Sequence, residues 1–174
     1  MTRIQHIESL PEGTIGAEIG VLEGEFSAQI LATPVKKLYL VDPWKHYETG
    51  YDDSANVNQG GQDHRYRNVC AKFANNPRAI ILREESGSQA VMDALQDVDW
   101  VYIDANHSFE AVWFDLVWYS RMCGMLMLHD FCENEITRKH NWGVVEAVEE
   151  WIKVNGWKKT LVTDEEWPTV VLEK

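Results

Sequence analysis

Short apolar runs alternate along this chain with stretches in which apolar residues recur every three or four positions. Residues 14–19 form a β-prone run that stops at Gly20, and Glu25–Ala32 follows with Phe26, Ile30 and Leu31 on one side, the spacing of a helix. Lys37–Val41 predicts a second strand, closed by Asp42 and by Pro43, which cannot extend a hydrogen-bonded ladder. Residues 43–64 show no periodicity and predict a long polar loop. With Trp44, Tyr47, Tyr51 and the pair Gly60-Gly61 in it, that loop suits a mobile cover over a substrate.

The alternation then continues. Residues 66–75 predict a helix ended by Asn75-Asn76-Pro77, Ala79–Leu82 a strand, and Ser86 or Ser88 the cap of a helix running to Leu95. Trp100–Ile103 is a fully apolar strand ending at Asp104, and Phe109, Val112, Trp113, Leu116 and Val117 mark one face of the next helix. Met125–Leu128 ends at His129 and Asp130, and a polar loop leads to Asn141. Val144, Ala147, Val148, Trp151 and Ile152 then line a helix that Gly156 can cap in the left-handed conformation. Residues 158–163 and 169–172 flank a turn at 164–168 and predict a terminal antiparallel hairpin.

Five strand–helix units and a hairpin predict an α/β protein with a doubly wound sheet of mixed direction at one edge. There is no internal repeat or linker, so residues 1–174 are expected to form a single domain. In open α/β sheets ligands bind beyond the carboxyl ends of the strands, which directs attention to Gly20, Asp42, Asp104 and Asp130.

Composition narrows the partners. With 28 acidic against 16 basic residues the formal net charge is -12, so the chain lacks a basic footprint for nucleic acid or an anionic membrane. Its expected partner is a small molecule, and assembly with further copies of itself is compatible with the sequence. Cys70, Cys123 and Cys132 form neither a disulfide framework nor a CxxC pair and suit a reducing compartment. The first residues lack the pattern of a secretory signal, and no apolar run approaches the ~18 residues of a membrane span, so a cytoplasmic location is expected.

The segment from Glu18 to Gly24 follows a strand and opens a helix, the setting in which glycines admit a ligand close to the backbone. A simple tight turn is the plainer explanation of Gly20 and Gly24. The spacing is GxxxG; the dinucleotide pattern GxGxxG and the P-loop pattern GxxxxGK are absent. Glu18, Glu23 and Glu25 would repel a pyrophosphate but tolerate a cation such as S-adenosylmethionine (SAM). Asp42 is placed to accept hydrogen bonds from a ribose diol, although an Asp that merely starts a loop would look the same.

These segments, with Leu40-Val-Asp42-Pro-Trp44, Asp99-Trp-Val-Tyr-Ile-Asp104-Ala-Asn-His107-Ser and His129-Asp130-Phe131, resemble class I SAM-dependent methyltransferases, in particular the compact metal-dependent O-methyltransferases of sugars and small molecules. The resemblance implies a Rossmann-like, mostly parallel seven-stranded sheet ending in an antiparallel hairpin. It also implies SAM held by Glu18, Gly20, Gly24, Asp42, Ser86, Ser88 and Asp104, and methyl transfer to a hydroxyl. In similar enzymes the acids after the fourth and fifth strands, here Asp104 and Asp130, hold Mg²⁺ or Mn²⁺. His129 stands where those enzymes often carry a second adjacent acid, so this site has one carboxylate fewer.

Carboxylates at the ends of neighbouring strands, ~4.8 Å apart, repel unless a cation or proton lies between them. Asp104 and Asp130 fit that description, with helix capping and a loop contact as their respective structural alternatives. His107, near the start of the following helix, is a candidate base for the hydroxyl proton, its ordinary pKa being near 6.5. His129 suits a metal ligand or a packed residue; His64 and His140 lie in loops and are assigned no role. Two other readings stay open: a SAM- or nucleotide-binding partner module without catalysis, and an NAD(P)-dependent oxidoreductase, which the missing GxGxxG disfavours.

Overall fold

The computed structural model describes every residue except Asp52. In chain order the elements are α1 (Arg3–Glu8), β1 (Ile15–Ile19), α2 (Glu25–Ala32), β2 (Lys37–Val41), α3 (Gln59–Phe73), β3 (Ala79–Leu82) and α4 (Gln89–Ala94). They continue as β4 (Trp100–Ile103), α5 (Phe109–Tyr119), β5 (Met125–Leu128), α6 (Glu135–Lys139), α7 (Val144–Asn155), β6 (Lys158–Val162) and β7 (Val170–Glu173). The seven strands form one Rossmann-like sheet in the order β3-β2-β1-β4-β5-β7-β6, parallel except for the β6–β7 hairpin.

Alternating side chains explain why helices cover both faces. Ala17, Ile19, Val41, Val101 and Ile103 point into one buried layer with α4, α5 and α7, while Leu38, Leu40, Trp100, Tyr102 and Met127 point into the other with α1, α2 and α3. Register then fixes the rim. Ile19 pairs with both Val41 and Ile103, and Ile103 pairs with Leu128, so β2, β1, β4 and β5 end level and deliver Gly20, Asp42, Asp104 and His129 to one edge. The strand order reverses at β1, between β2 and β4, which opens the crevice where ligands bind in such sheets.

Several boundaries differ from the expectation. The loop after β2 ends at Asn58, whose side chain accepts from Gly61 N at 3.0 Å, so Gly60 and Gly61 form the first turn of α3 instead of belonging to a loop. A good cap and an ordered following helix outweigh the low helix propensity of two glycines. Helix α6 interrupts the loop before Asn141; its capping box joins Asn134 to Thr137, a pairing less visible in sequence than Ser or Thr followed by Glu. Helix α1 is fixed by a Thr2–Gln5 capping box. Ser88, not Ser86, caps α4, and Gly156 takes the expected left-handed cap at φ 70°. Among the described residues no helix is long and apolar enough to cross a membrane.

Candidate active site

The rim is built by an exchange between strand ends. Gly20 N donates to Val41 O at 2.9 Å, and Asp104 N donates to Ile19 O at 2.8 Å. At Gly20, φ is +87° and a Cβ would stand 1.9 Å from the Asp104 carbonyl oxygen, so only glycine lets these two chain segments meet. Asp42 ties the turn together: its Oδ2 accepts from Val21 N and Leu22 N, each at 3.0 Å, and its Oδ1 accepts from Trp44 N at 2.7 Å. Burial raises the pKa of this carboxyl against the pull of those three amides. Trp44 Nε1 closes the loop by donating to Leu22 O at 2.8 Å, and Leu22 and Trp44 both hold left-handed backbones at φ 53° and 41°.

Above this rim lies a cavity of about 770 Å³, a size that suits a nucleoside cofactor. Among the described residues its walls carry eight carboxylates against three Lys or Arg side chains. Glu18 forms the floor with 2% exposure; it accepts a hydrogen bond from the Ser27 hydroxyl, and burial pushes its pKa up to about 8. At the other end Ser86 donates to the buried Asp115, which burial raises to about 7, and lies 3.0 Å from the Tyr119 hydroxyl. A second chamber of about 520 Å³ adjoins the first, and Tyr47, Tyr51, Asp53, Asn106, His107 and Trp142 line both.

Two acids and two histidines converge at this rim: Asp104 lines the larger chamber and His107 both, whereas His129 and Asp130 line neither. His107 Nε2 lies 2.9 Å from Asp130 Oδ2 and 3.5 Å from Asp104 Oδ1, while His129 Nδ1 lies 3.1 Å from Asp130 Oδ1 and 3.3 Å from Asp104 Oδ2. Asp53 Oδ2 stands 3.7 Å from His107 Nδ1 on the far side of the ring. Burial disfavours charge on both imidazoles, but the surrounding carboxylates win, raising His107 to about 11 and His129 to about 9. The same imidazoles hold Asp104 and Asp130 below the usual carboxylate range despite burial.

Proximity here is not alignment. His107 Nδ1 and Nε2 and His129 Nδ1 are buried, and none makes a well-directed hydrogen bond among the described residues. Buried polar atoms without aligned partners are rare and call for an explanation. Donor atoms of Asp104, His107 and Asp130 lie within 4.8 Å of one another, a spacing that fits a shared cation. A mixed carboxylate and imidazole set suits Mn²⁺, Fe²⁺ or Zn²⁺ better than Mg²⁺. Asp130 occupies its place through a left-handed backbone, φ 57°, and Phe131 N donating to Pro168 O at 2.9 Å. His107 is held by its carbonyl, which accepts from Gly143 N at 2.7 Å, and by Trp142, whose ring stacks on it at 4.1 Å.

The structure thus gathers Asp104, His107, His129 and Asp130 into one cluster and sets Glu18, Gly20, Asp42, Ser86 and Asp104 around the larger cavity. Gly24 and Ser88 serve local structure. Gly24, at φ 72°, starts α2 with its Cα hydrogens against Phe73, and Ser88 Oγ accepts from Val91 N. His64 faces Asn68 within α3. Three participants were not singled out from sequence. Asp115 had a readable signal, an acid on the Val112, Leu116, Tyr119 stripe that α5 buries. Asp53 and Trp142 had none, because loop positions carry no periodicity.

Comparisons with known proteins agree with this architecture. A family described as "Methyltransferase domain" matches residues 17–131. Among solved structures, M. capricolum TrmK in complex with S-adenosylhomocysteine aligns over all of this chain and 68% of its own, with 11% identity and a TM-score of 0.61. The Methanococcus jannaschii fibrillarin pre-rRNA processing protein aligns over 93% of this chain and 66% of its own, with 13% identity and a TM-score of 0.61. A Staphylococcus aureus protein provisionally described as a caffeoyl-CoA O-methyltransferase aligns over 92% and 76%, with 13% identity and a TM-score of 0.62. No curated protein matches in sequence.

Proposed function

This chain belongs to the methyltransferase domain family, and on that premise we propose that residues 1–174 act as one catalytic domain that transfers the methyl group of SAM to a hydroxyl of a small molecule or sugar. The observation that carries this reading is that Asp104 lines the larger chamber and His107 lines both, with Asp130 2.9 Å from His107 and His129 3.3 Å from Asp104. The larger chamber suits the cofactor: its carboxylates favour a sulfonium and an ammonium, and the Asp42 Oδ1 keeps capacity for a ribose hydroxyl beyond the Trp44 amide. The smaller chamber, walled by Tyr47, Tyr51 and Trp142, suits the acceptor.

The donor atoms grouped for a cation are those of Asp104, His107 and Asp130; with His107 kept for the proton, Asp104, Asp130 and His129 would hold the divalent cation, which would lower the pKa of the acceptor hydroxyl when bound. His107 lines both chambers and would take the hydroxyl proton; Asp53 stands 3.7 Å from its Nδ1 and Asp130 2.9 Å from its Nε2. When bound, SAM would supply the electrophilic methyl carbon and leave as S-adenosylhomocysteine, and the acceptor's hydroxyl proton would pass to His107. Two protonated imidazoles balance the two carboxylates equally well, and in that state His107 has no free lone pair for the proton. The base therefore requires the imidazoles to be neutral, with the balancing charge supplied otherwise.

The acidic walls and the net charge of -12 disfavour a phosphate-rich acceptor, even though the structural neighbours include a pre-rRNA processing protein and proteins described as RNA and tRNA methyltransferases. The test is calorimetry with SAM, S-adenosylhomocysteine and NAD, followed by methyl transfer to a panel of diols and sugars with Mn²⁺, Mg²⁺ or chelator. Tight SAM binding with cation-dependent transfer supports the reading. NAD binding as tight as SAM, or full turnover in chelator, overturns its cofactor or its metal part respectively.

A further inference from the structure

One carboxylate reaches the cluster from outside the strand ends. Asp53 lies in the loop between β2 and α3, and its side chain, 14% exposed, meets that of His107, 11% exposed. A carboxylate so far withdrawn from water costs free energy unless a partner answers its charge. The two oxygens of Asp53 have separate occupations. Oδ1 accepts from Ala55 N at 2.7 Å, with the Ser54 hydroxyl at 3.5 Å, and so completes a local turn. Among the described residues Oδ2 takes no part in that turn, and it stands 3.7 Å from His107 Nδ1. The turn is braced from α3, because the Ala55 carbonyl accepts from Gln62 Nε2 at 2.9 Å and from Arg65 Nη1 at 2.6 Å. Gln62 is a buried amide on a largely polar helix, and holding this carbonyl accounts for its position.

On the imidazole side, Nδ1 is buried and makes no well-directed hydrogen bond among the described residues. Trp142 holds one face of the ring and Asp130 stands at Nε2, so the Nδ1 edge is the one that the loop can fix. Catalytic hydrogen bonds are often long until substrate is bound, and a movement of under ~1 Å brings Oδ2 within bonding range of Nδ1. We propose that Asp53 is a positioning residue for His107: its Oδ2 accepts from Nδ1–H and holds the imidazole in the orientation for proton transfer. This rests on the reading of His107 as the base. An Asp that merely closes a loop turn accounts for Oδ1 and leaves Oδ2 unexplained. The contact also strengthens as the ring gains positive charge, so it favours the step in which the proton arrives over the state before it.

Asp53→Asn keeps the Oδ1 bond to Ala55 and replaces Oδ2 by an amide nitrogen, which cannot accept from Nδ1–H. With Mn²⁺ and the best acceptor of the diol and sugar panel, this variant should lower kcat by about tenfold to hundredfold, the usual cost of losing the outer partner of a functional imidazole. Acceptor KM and SAM affinity should stay within about twofold, and Asp53→Glu should recover part of the rate. A double-mutant cycle separates positioning from general damage: in a His107→Ala background, Asp53→Asn should change the residual rate by less than about twofold, since it acts through a ring that is gone. Equal losses in both backgrounds, or a loss in KM instead of kcat, would show a role in shaping the chamber and overturn the proposal. Nitrogen NMR of histidine-labelled wild type needs neither turnover nor a variant that folds. It should show His107 Nδ1 carrying a hydrogen-bonded proton, and a proton-free Nδ1 overturns the assignment. If wild-type protein methylates no member of the panel, or His107→Ala is as active as wild type, the reading of the site above fails, and this assignment with it.

Discussion

Asp104 and Asp130, at the ends of adjacent strands, each give one carboxylate oxygen to His107 and the other to His129. Neither acid can be neutralised without leaving both imidazoles short of a partner. Asp104→Asn and Asp130→Asn should therefore abolish cation-dependent turnover while leaving SAM affinity within about threefold, because the loss concerns charge at the cluster and not the cavity floor. Initial rates across a Mn²⁺ titration, paired with SAM calorimetry, test this. Loss of SAM binding in both variants would assign the acids to the cofactor instead.

His107→Ala should lower the transfer rate by about 10² to 10⁴ if this imidazole takes the proton, with little change in SAM affinity. Trp142 stacks on this ring and should matter less, since it orients His107 without touching the proton. A rate within threefold of wild type for His107→Ala would remove it from the reaction.

The cation-free protein should lose stability as the solution becomes alkaline. His129 and His107 have folded-state pKa values raised from 6.5 to about 9 and about 11, so their contribution is complete below pH 6.5 and disappears as pH rises through those values. Glu18 and Asp115 act in the same direction, because their raised values, about 8 and about 7, make ionisation at high pH costly to the folded state. The variant His129→Gln isolates one contribution: its unfolding free energy should decline less than the wild type between pH 6 and 10 in urea titrations. Added Mn²⁺ should reverse the trend over pH 6 to 8, since metal ligation needs neutral imidazoles. A wild-type stability that rises across this range would contradict the assignment.

Asp42→Ala should cost folding stability as well as cofactor affinity. Its carboxylate accepts from three backbone amides, and hydrogen bonds to a charged group are each worth about 1.5–3 kcal/mol. Since the freed amides can turn partly to water, a net loss on the order of 3 kcal/mol is expected in chemical denaturation. An unchanged unfolding midpoint would show that the turn holds without it.

Much of this arrangement was legible beforehand, because it depends on periodicity and on strand ends. Helix α2 and strands β2 to β5 stand where their apolar patterns end, and Gly20, Asp42, Asp104 and Asp130 meet at the rim that doubly wound topology requires. The pairing of His107 with His129 was not legible, since nothing in the spacing of 107 and 129 says that a left-handed Asp130 turns its carboxylate back between them. The use of Asp42 was only half visible: its place after β2 pointed to a ribose, whereas its three amide bonds follow from the path of Leu22 and Trp44.

Leu22, Trp44, Asp130 and Asn141 are the described non-glycine residues at positive φ, and each is at or beside the two chambers. Left-handed backbone in such residues carries a conformational penalty of about 1–2 kcal/mol apiece. The scaffold thus concentrates its local frustration around the ligands and keeps it out of the helices and strands. For anyone seeking a hardier version of this protein, glycine at Leu22 or Asn141 is an obvious route to relief. It is also the route most apt to loosen the walls, so thermal tolerance and ligand affinity should trade against each other at these few positions and vary independently elsewhere.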